Sequence, residues 1–218
     1  MIDLSQSLEH GVSTYPGFPT PQMSHHITFE QSHAMIADGR EYAIDLLTFV
    51  AGSATYIDAP RHMGREADDI AALPLERLVD RPAVIVPAPS DGRREYRPED
   101  FDGRELEGAA VLLATGWDRY WGRPEYVTGS PYLGGDAARL LAARGAAVVG
   151  IDAVLIDDVD DPAERPLVDA HITLLRAGIP IVENLRSLDL IPESGALFTA
   201  VPASVRGVGS FPVRAYAR

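Results

Sequence analysis

The stretch 136-DAARLLAARGAAVVGID-152 sets a helix directly before a strand, and that succession decides the fold class. Its first half repeats alanine and leucine at helical spacing behind Asp136, and Gly145 stands where a helix stops on a left-handed residue. AVVGID, 147–152, then reads as a β-branched strand of the buried kind. Upstream, AVIVP at 83–87 and AVLLAT at 110–115 have the same character. Downstream, a second helix is expected over 169–177, with Asp169 as N-cap, Gly178 as stop and Pro180 beyond it; the strand IPIVEN follows. Residues 2–8, 23–31 and YAIDLLTFV at 42–50 read as strands, as do LFTAV, ASVRGV and PVRAYA in the tail, whereas 67–79 keep a helical spacing broken by Pro74. Helices and strands alternating in the centre, between strand-rich ends, predict a mixed α/β fold.

The length of 218 residues suits one domain over 1–218, and 46% hydrophobic with 23% charged residues is globular composition. A net charge of −13 argues against nucleic acid and anionic membrane surfaces as partners. No apolar run reaches the ~18–20 residues that span a bilayer, and MIDLSQSLEHG lacks the basic head and apolar core of a signal peptide, so a cytoplasmic location is expected. There is no cysteine, which excludes disulfides, zinc–thiolate sites and a thiol nucleophile. All 19 basic residues are arginine, which excludes Schiff-base chemistry and a P-loop lysine.

The segment 51-AGSATYIDAPRHMG-64 concentrates reactive side chains. Pro60 lies between Asp58 and His62, restricting its own φ and biasing Ala59 to extended geometry; such a stiff turn can hold a carboxylate and an imidazole in fixed relation for acid–base work. A surface turn with both groups solvated is the equal rival. A second pair is His171, on the expected helix, and Glu183, at the end of an apolar strand; a buried carboxylate is rare unless paired, metal-bound or catalytic. Here too a structural pair weighs as much as a functional one. His25, His26 and His33 flank an expected strand and could reach a site, while His10 reads as a turn residue. The run 157-DDVDD-161 does not fit an EF-hand and reads as a solvated loop. Trp117 and Trp121 are candidates for the wall of a pocket for a planar substrate, with core packing the alternative.

Taken in order, several segments resemble one family. IDLSQSLEHGVSTYPGFPTP is similar to the opening D-[IL]-S-x-x-L-x-x-G-x-x-x-[YW]-P-G-x-P of the cyclase family, which includes bacterial kynurenine formamidase and isatin hydrolase. IDAPRH matches the second half of its signature H-G-T-H-x-D-x-P-x-H, and VLLATGW, DAARLLAARGAAVVGID, HITLL, GIPIVENL and PVRA match further on. The resemblance implies a swivelling β/β/α-type fold, with a mixed sheet or barrel core and flanking helices, assembled as a homodimer or homotetramer. It also implies a zinc or manganese site held by the two leading signature histidines, the aspartate, a downstream histidine and an acidic or amide residue, with the last signature histidine as acid–base. Carried over by position, Asp58 matches the metal-binding aspartate, His62 the acid–base histidine, His171 the downstream histidine and Glu183 the late carboxylate.

The departure is in the first half of the signature. H-G-T-H aligns with Ser53-Ala54-Thr55-Tyr56, and hydroxyls are poor ligands for zinc at neutral pH. Losing two of about four or five ligands removes much of the ~10 kcal/mol of a tight zinc site. The expectation is therefore no cofactor, or a weakly held zinc or manganese ion on Asp58, His171 and Glu183. Tyr56 gains a role as hydrogen-bond donor to a carbonyl oxygen or enolate, with Ser53, Thr55 and Trp117 as substrate contacts. The leading reading is a metal-independent enzyme of secondary metabolism that closes, dehydrates or isomerises a small carbonyl-bearing ring through His62, Asp58, Tyr56, His171 and Glu183. Against it stand a formamidase- or lactonase-type hydrolase with a rebuilt metal site, to which His25, His26 or His33 could contribute, and a non-catalytic binding protein that keeps the fold.

Overall fold

Ala110–Ala114 consists entirely of apolar residues because both faces of that strand are covered. Ala110 and Leu112 point into one core cluster, Val111 and Leu113 into another. The computed structural model describes residues 1–160, 168–192 and 194–218 and explains this double burial. In chain order its strands are β1 (Ile2–Asp3), β2 (Gln22–Ile27), β3 (Ile44–Thr48), β4 (Tyr56–Asp58), β5 (Arg81–Pro87), β6 (Glu95–Tyr96), β7 (Ala110–Ala114), β8 (Tyr132–Leu133), β9 (Val148–Ile151), β10 (Ile181–Glu183), β11 (Leu197–Pro202) and β12 (Ser210–Ala217). Its helices are α1 (Phe29–Met35), α2 (Gly135–Ala143) and α3 (Asp169–Arg176).

Strands β12, β11, β5, β7, β9, β10 and β4 pair in that order, and β4 pairs back onto β12, closing a barrel with β1 added along β12. Within the barrel the run β5-β7-β9-β10 is parallel and the other pairings are antiparallel, while β6 and β8 form a separate parallel pair. Leu112, Val148, Val182, Ile57 and Phe198 fill the interior. It is tight enough that a Cβ on Gly150 would meet Leu185 Cδ1 at 2.7 Å and Leu112 Cδ2 at 2.8 Å. Val111, Leu113, Val149 and Ile151 face outward under α2 and α3, each such burial contributing roughly 1.5–3 kcal/mol. Strands β2 and β3 form a separate antiparallel hairpin whose residues are nearly all exposed. Among the described residues, no helix is long and apolar enough to cross a membrane.

The α/β class and the mixed sheet with flanking helices hold; several local expectations do not. The strand expected over 23–31 ends at Ile27, because Thr28 and Gln31 form a capping box that opens α1. The segment 67–79 makes two short 3₁₀ turns, Ile70–Ala72 and Leu75–Arg77, on either side of Pro74. Over 2–8 only Ile2–Asp3 is a strand, and ASVRGV is none. Asp169 is the first residue of α3, not its cap: Val168 holds the cap position, and the carboxylate that meets the helix start comes from Asp157.

Candidate active site

Strand register builds the site. Tyr56 and Asp58 are two residues apart on β4 and share its outer face, while Ile57 turns into the barrel. Antiparallel pairing sets Glu183 of β10 opposite Tyr56, and Ser210 of β12 opposite Asp58. Pro60 starts a 3₁₀ turn, Pro60–His62, which brings the imidazole back over the strand end. Helix α3 lays His171 on the same face, its side chain 4% exposed. The Asp-x-Pro-x-His segment is a solvated turn only in part: Asp58 is fully buried in a strand, while His62, in the turn, is exposed.

The side chains engage one another closely. The Tyr56 hydroxyl donates to Glu183 Oε2, and the backbone N–H of Ile156 donates to Glu183 Oε1 at 2.7 Å. His171 Nδ1 lies 2.5 Å from Asp157 Oδ2, while its Nε2 lies 3.4 Å from Glu183 Oε1 and 3.7 Å from Asp58 Oδ2. Ser210 Oγ donates to Asp58 Oδ1 and sits 3.0 Å from His62 Nδ1. The His62 and His171 rings are 5.7 Å apart between centroids. Asp58 Oδ2 is buried without a hydrogen-bond partner.

Three buried carboxyl groups, Asp58, Asp157 and Glu183, therefore surround one buried imidazole. Burial alone would lower the pKa of His171, but Glu183, Asp157 and Asp58 override it and raise the pKa well above the ordinary histidine value. The carboxyl groups near both ring nitrogens thus favour the charged form of His171. Burial pushes the Glu183 carboxyl up to about 7 against the opposing pull of His171. The Tyr56 phenol is raised well above its usual value, by burial first and then by the Glu183 and Asp58 charges, so it stays a neutral donor.

Part of this cluster opens onto a cavity of about 270 Å³, with Asp58 and Glu183 behind its wall. Tyr56, His62, Asp157 and His171 form its polar end, and Tyr15, Phe18, Met63, Val154, Leu155 and Val168 its apolar wall. A larger cleft of about 480 Å³ adjoins it across Tyr15 and Phe18 and takes Trp121 in its lining. Thr55 and Ser53 lie beside the site, outside the lining of either space. Thr55 Oγ1 donates to the Asn184 carbonyl and accepts from the backbone N–H of Gln6. Trp117 is also outside both linings, its Nε1 donating to the Tyr126 carbonyl at 3.2 Å. His25 and His33 pair with Asp45 and Glu41, and His26 shares the exposed hairpin strand β2.

Asp157 and Ser210 are the residues in contact with this cluster that the sequence reading passes over. Asp157 opens the acidic run that reads as a solvated loop, yet it is 5% exposed; its place directly after the apolar stretch 153–156 is the available signal. Asp158 and Asp160 of that run do face solvent and pair with Arg94, and Asp161 lies outside the described residues. Nothing local marks Ser210, since only the pairing of β12 with β4 brings it to Asp58.

The donor atoms also bear on a metal. Asp58, His62 and His171 each offer one ligand atom, all within 4.8 Å of one another. The unpartnered Asp58 Oδ2 and the excess of buried carboxyls fit a divalent cation of modest affinity. Glu183, expected as a third ligand in place of His62, has both oxygens hydrogen-bonded within the protein.

Residues 2–158 match the family model named Cyclase. The chain is 30% identical to a kynurenine formamidase of Maricaulis maris over 179 residues, 80% of each chain. It is likewise 30% identical to a kynurenine formamidase of Bacillus cereus over 220 residues, covering 100% of this chain and 96% of the relative. Among solved structures, isatin hydrolase A from Labrenzia aggregata, bound to benzyl benzoate, superposes with a TM-score of 0.83 at 24% identity, covering 99% of this chain and 92% of that one. A structure described as a predicted metal-dependent hydrolase from Bacillus stearothermophilus gives 0.72 at 25% identity, covering 98% and 95%.

Proposed function

The chain belongs to the cyclase family of enzymes, and on that premise we propose that it performs acid–base catalysis on a small, carbonyl-bearing ring compound. The observation that carries this reading is the pairing of two unlike imidazoles at one cavity. His62 has a side chain 39% exposed to solvent, whereas His171 is 4% exposed and surrounded by carboxyl groups that favour its charged form. In the reaction His62 takes a proton from the substrate next to its carbonyl, charge develops on the oxygen opposite the His171 imidazolium, and His62 returns the proton at a second position. Tyr56 and Glu183 hold the floor of the site in place. The cavity falls just below the ~300–1,000 Å³ of pockets for drug-sized ligands, so it takes a substrate of one or two rings. Ring closure, dehydration and isomerisation all fit this inventory.

A panel of cyclisable keto acids, hydroxy ketones, lactones and aryl formamides, assayed in excess chelator with wild type and His62→Ala, tests the reading. Turnover that persists in chelator and disappears in His62→Ala is the expected result; turnover that needs a removable ion overturns it.

The second reading is hydrolysis of an amide or lactone, as the names of the relatives suggest, and the three converging donors support it. Asp58, His62 and His171 would hold a zinc or manganese ion. Such an ion polarises a carbonyl and activates water. N-formylkynurenine and isatin, with and without added manganese, are the discriminating substrates.

Assembly as a homodimer or homotetramer belongs to the same proposal. Leu46 and Leu47 point to opposite faces of the hairpin and are 54% and 48% exposed, leaving apolar surface for a second copy. Light scattering that finds a monomer at micromolar concentration overturns it.

A further inference from the structure

We propose that Ser210 is a positioning residue that fixes the ring tautomer of His62, placing the proton on Nδ1 and leaving Nε2 as the base. The inference deepens the proton-transfer reading of His62 and rests on it for its catalytic meaning, although the tautomer itself is observable without any substrate.

The direction of the hydrogen bonds follows from proton count. A serine hydroxyl has one proton to give and lone pairs to receive. Ser210 Oγ touches two groups, Asp58 Oδ1 and His62 Nδ1 at 3.0 Å. Asp58 is fully buried and its Oδ2 already has no partner. Were Ser210 to give its proton to the imidazole, Asp58 Oδ1 would lose its charge-assisted donor as well, and a buried carboxylate without donors is costly. The serine proton therefore goes to Asp58. The lone pair left on Oγ then faces Nδ1, which must carry a hydrogen to be satisfied. Nδ1 is also 3.5 Å from Asp58 Oδ1, which favours a proton on the same nitrogen.

The chain around Ser210 is shaped for this contact. A Cβ on Gly209 would stand 2.6 Å from both Cα and N of His62, so only glycine lets the two backbones approach this closely. The Ala59 N–H donates to the Gly209 carbonyl at 2.8 Å, and the Ile70 N–H to Val208 at 3.1 Å. Arg61 Nε donates to the Gly207 carbonyl, and the Gly207 N–H to Asp69. Residues 207–210, read from sequence partly as a strand, are a clamp that docks the start of β12 on the turn bearing His62. The antiparallel register then puts Ser210 opposite Asp58.

Long-range ¹H–¹⁵N spectra of the full chain with ¹⁵N-labelled histidine, in chelator at a pH where histidine is neutral, read the tautomer directly. His62→Gln assigns the signal. Wild type is expected to show Nδ1 as the protonated, pyrrole-like nitrogen. Ser210→Ala is expected to lose that pattern and move to the Nε2–H form that free histidine prefers, and Ser210→Thr, which keeps the hydroxyl, to restore it. A wild-type His62 in the Nε2–H form, or a pattern unchanged in a folded Ser210→Ala, overturns the proposal. On a turned-over substrate, Ser210→Ala should lower kcat about 10- to 100-fold at constant KM. A tautomer that moves while kcat stands still upholds the role of Ser210 and refutes that of His62 as the proton carrier, so the two failures are told apart.

Discussion

Asp157 holds the start of α3 at three points, two of them on His171: its carboxylate lies 2.5 Å from the ring Nδ1 and accepts the backbone N–H groups of His171 at 3.2 Å and Ala170 at 2.8 Å. One side chain thereby caps α3 and orients the imidazole that α3 carries into the site. Asp157→Asn removes the charge and one acceptor. The variant is expected to lose about 1–3 kcal/mol of stability, read as a lower urea midpoint. Its turnover should fall roughly 10- to 100-fold, as the loss of a partner that orients a functional imidazole does. A variant with wild-type midpoint and turnover would show that the grip is incidental.

Tyr56 is the donor to Glu183 Oε2, and Glu183 is fully buried. Tyr56→Phe leaves that oxygen without a partner, at a cost of about 1–3 kcal/mol. The cost depends on pH. Burial raises Glu183 to about 7, above its ordinary value of 4.5, so the native state holds this proton more tightly than the unfolded chain. The resulting stabilisation is complete below about 4.5 and is lost as pH rises through 7. A protonated Glu183 tolerates the missing donor better than an ionised one. Urea titrations should accordingly find a larger loss for Tyr56→Phe at pH 8 than at pH 6; equal losses would mean that Glu183 keeps one charge state across that range.

Asp152 lies at the end of β9 and is 2% exposed. It accepts the Thr115 N–H at 2.7 Å, the Thr115 hydroxyl at 2.6 Å and the Gly116 N–H at 2.9 Å. Burial nonetheless raises its carboxyl from 3.8 to about 6, so its contribution to stability is full below 3.8 and fades as pH climbs through 6. A shift of this size corresponds to about 3 kcal/mol. Asp152→Asn cannot titrate. It also gives up one acceptor, so it should melt lower than wild type at pH 4.5. The decline in Tm between pH 4.5 and 7 should then be visibly steeper in wild type than in the variant, and parallel curves would refute the assignment.

What the sequence reveals depends on the range of the interaction. The apolar runs 83–87 and 110–115, and the helix with its Gly145 stop, are legible because burial on two faces and a left-handed C′ residue are local demands. His171 and Glu183 are legible as candidates because an imidazole or carboxylate amid apolar neighbours is itself unusual, and Asp58 and His62 because Pro60 stiffens the turn between them. Their convergence is not. It arises from the β4–β10 and β4–β12 registers, which join residues more than 120 positions apart. Ser210 is invisible for the same reason, since a serine near a strand start looks ordinary until the partner is known, and Asp157 is marked only by the apolar stretch 153–156 before it. The short range also misleads at Asp169, which stands where a cap is expected while a remote carboxylate meets the helix start.

Ala54 has φ +56°, in the left-handed region, at the position where the family signature carries its glycine. Ala54 thus takes a conformation suited to the signature's glycine although both imidazoles are gone, and the Tyr56 hydroxyl donates to Glu183, beside His171. Tyr56→His should therefore return a ligand to a frame already shaped for one. Binding of 10–16 kcal/mol spread over about four ligands assigns roughly 3 kcal/mol to each, or about 100-fold in affinity. Competition of zinc against a fluorescent chelator is expected to show at least this gain in Tyr56→His, with a further step in Ser53→His/Tyr56→His. The substitution also frees Glu183 Oε2, which then competes for the ion, so Tyr56→His/Glu183→Gln separates the two contributions. If zinc affinity in Tyr56→His equals that of wild type, the vacated position does not face the Asp58–His62–His171 donors, and the tyrosine is a structural prop for Glu183 rather than the replacement of a metal ligand.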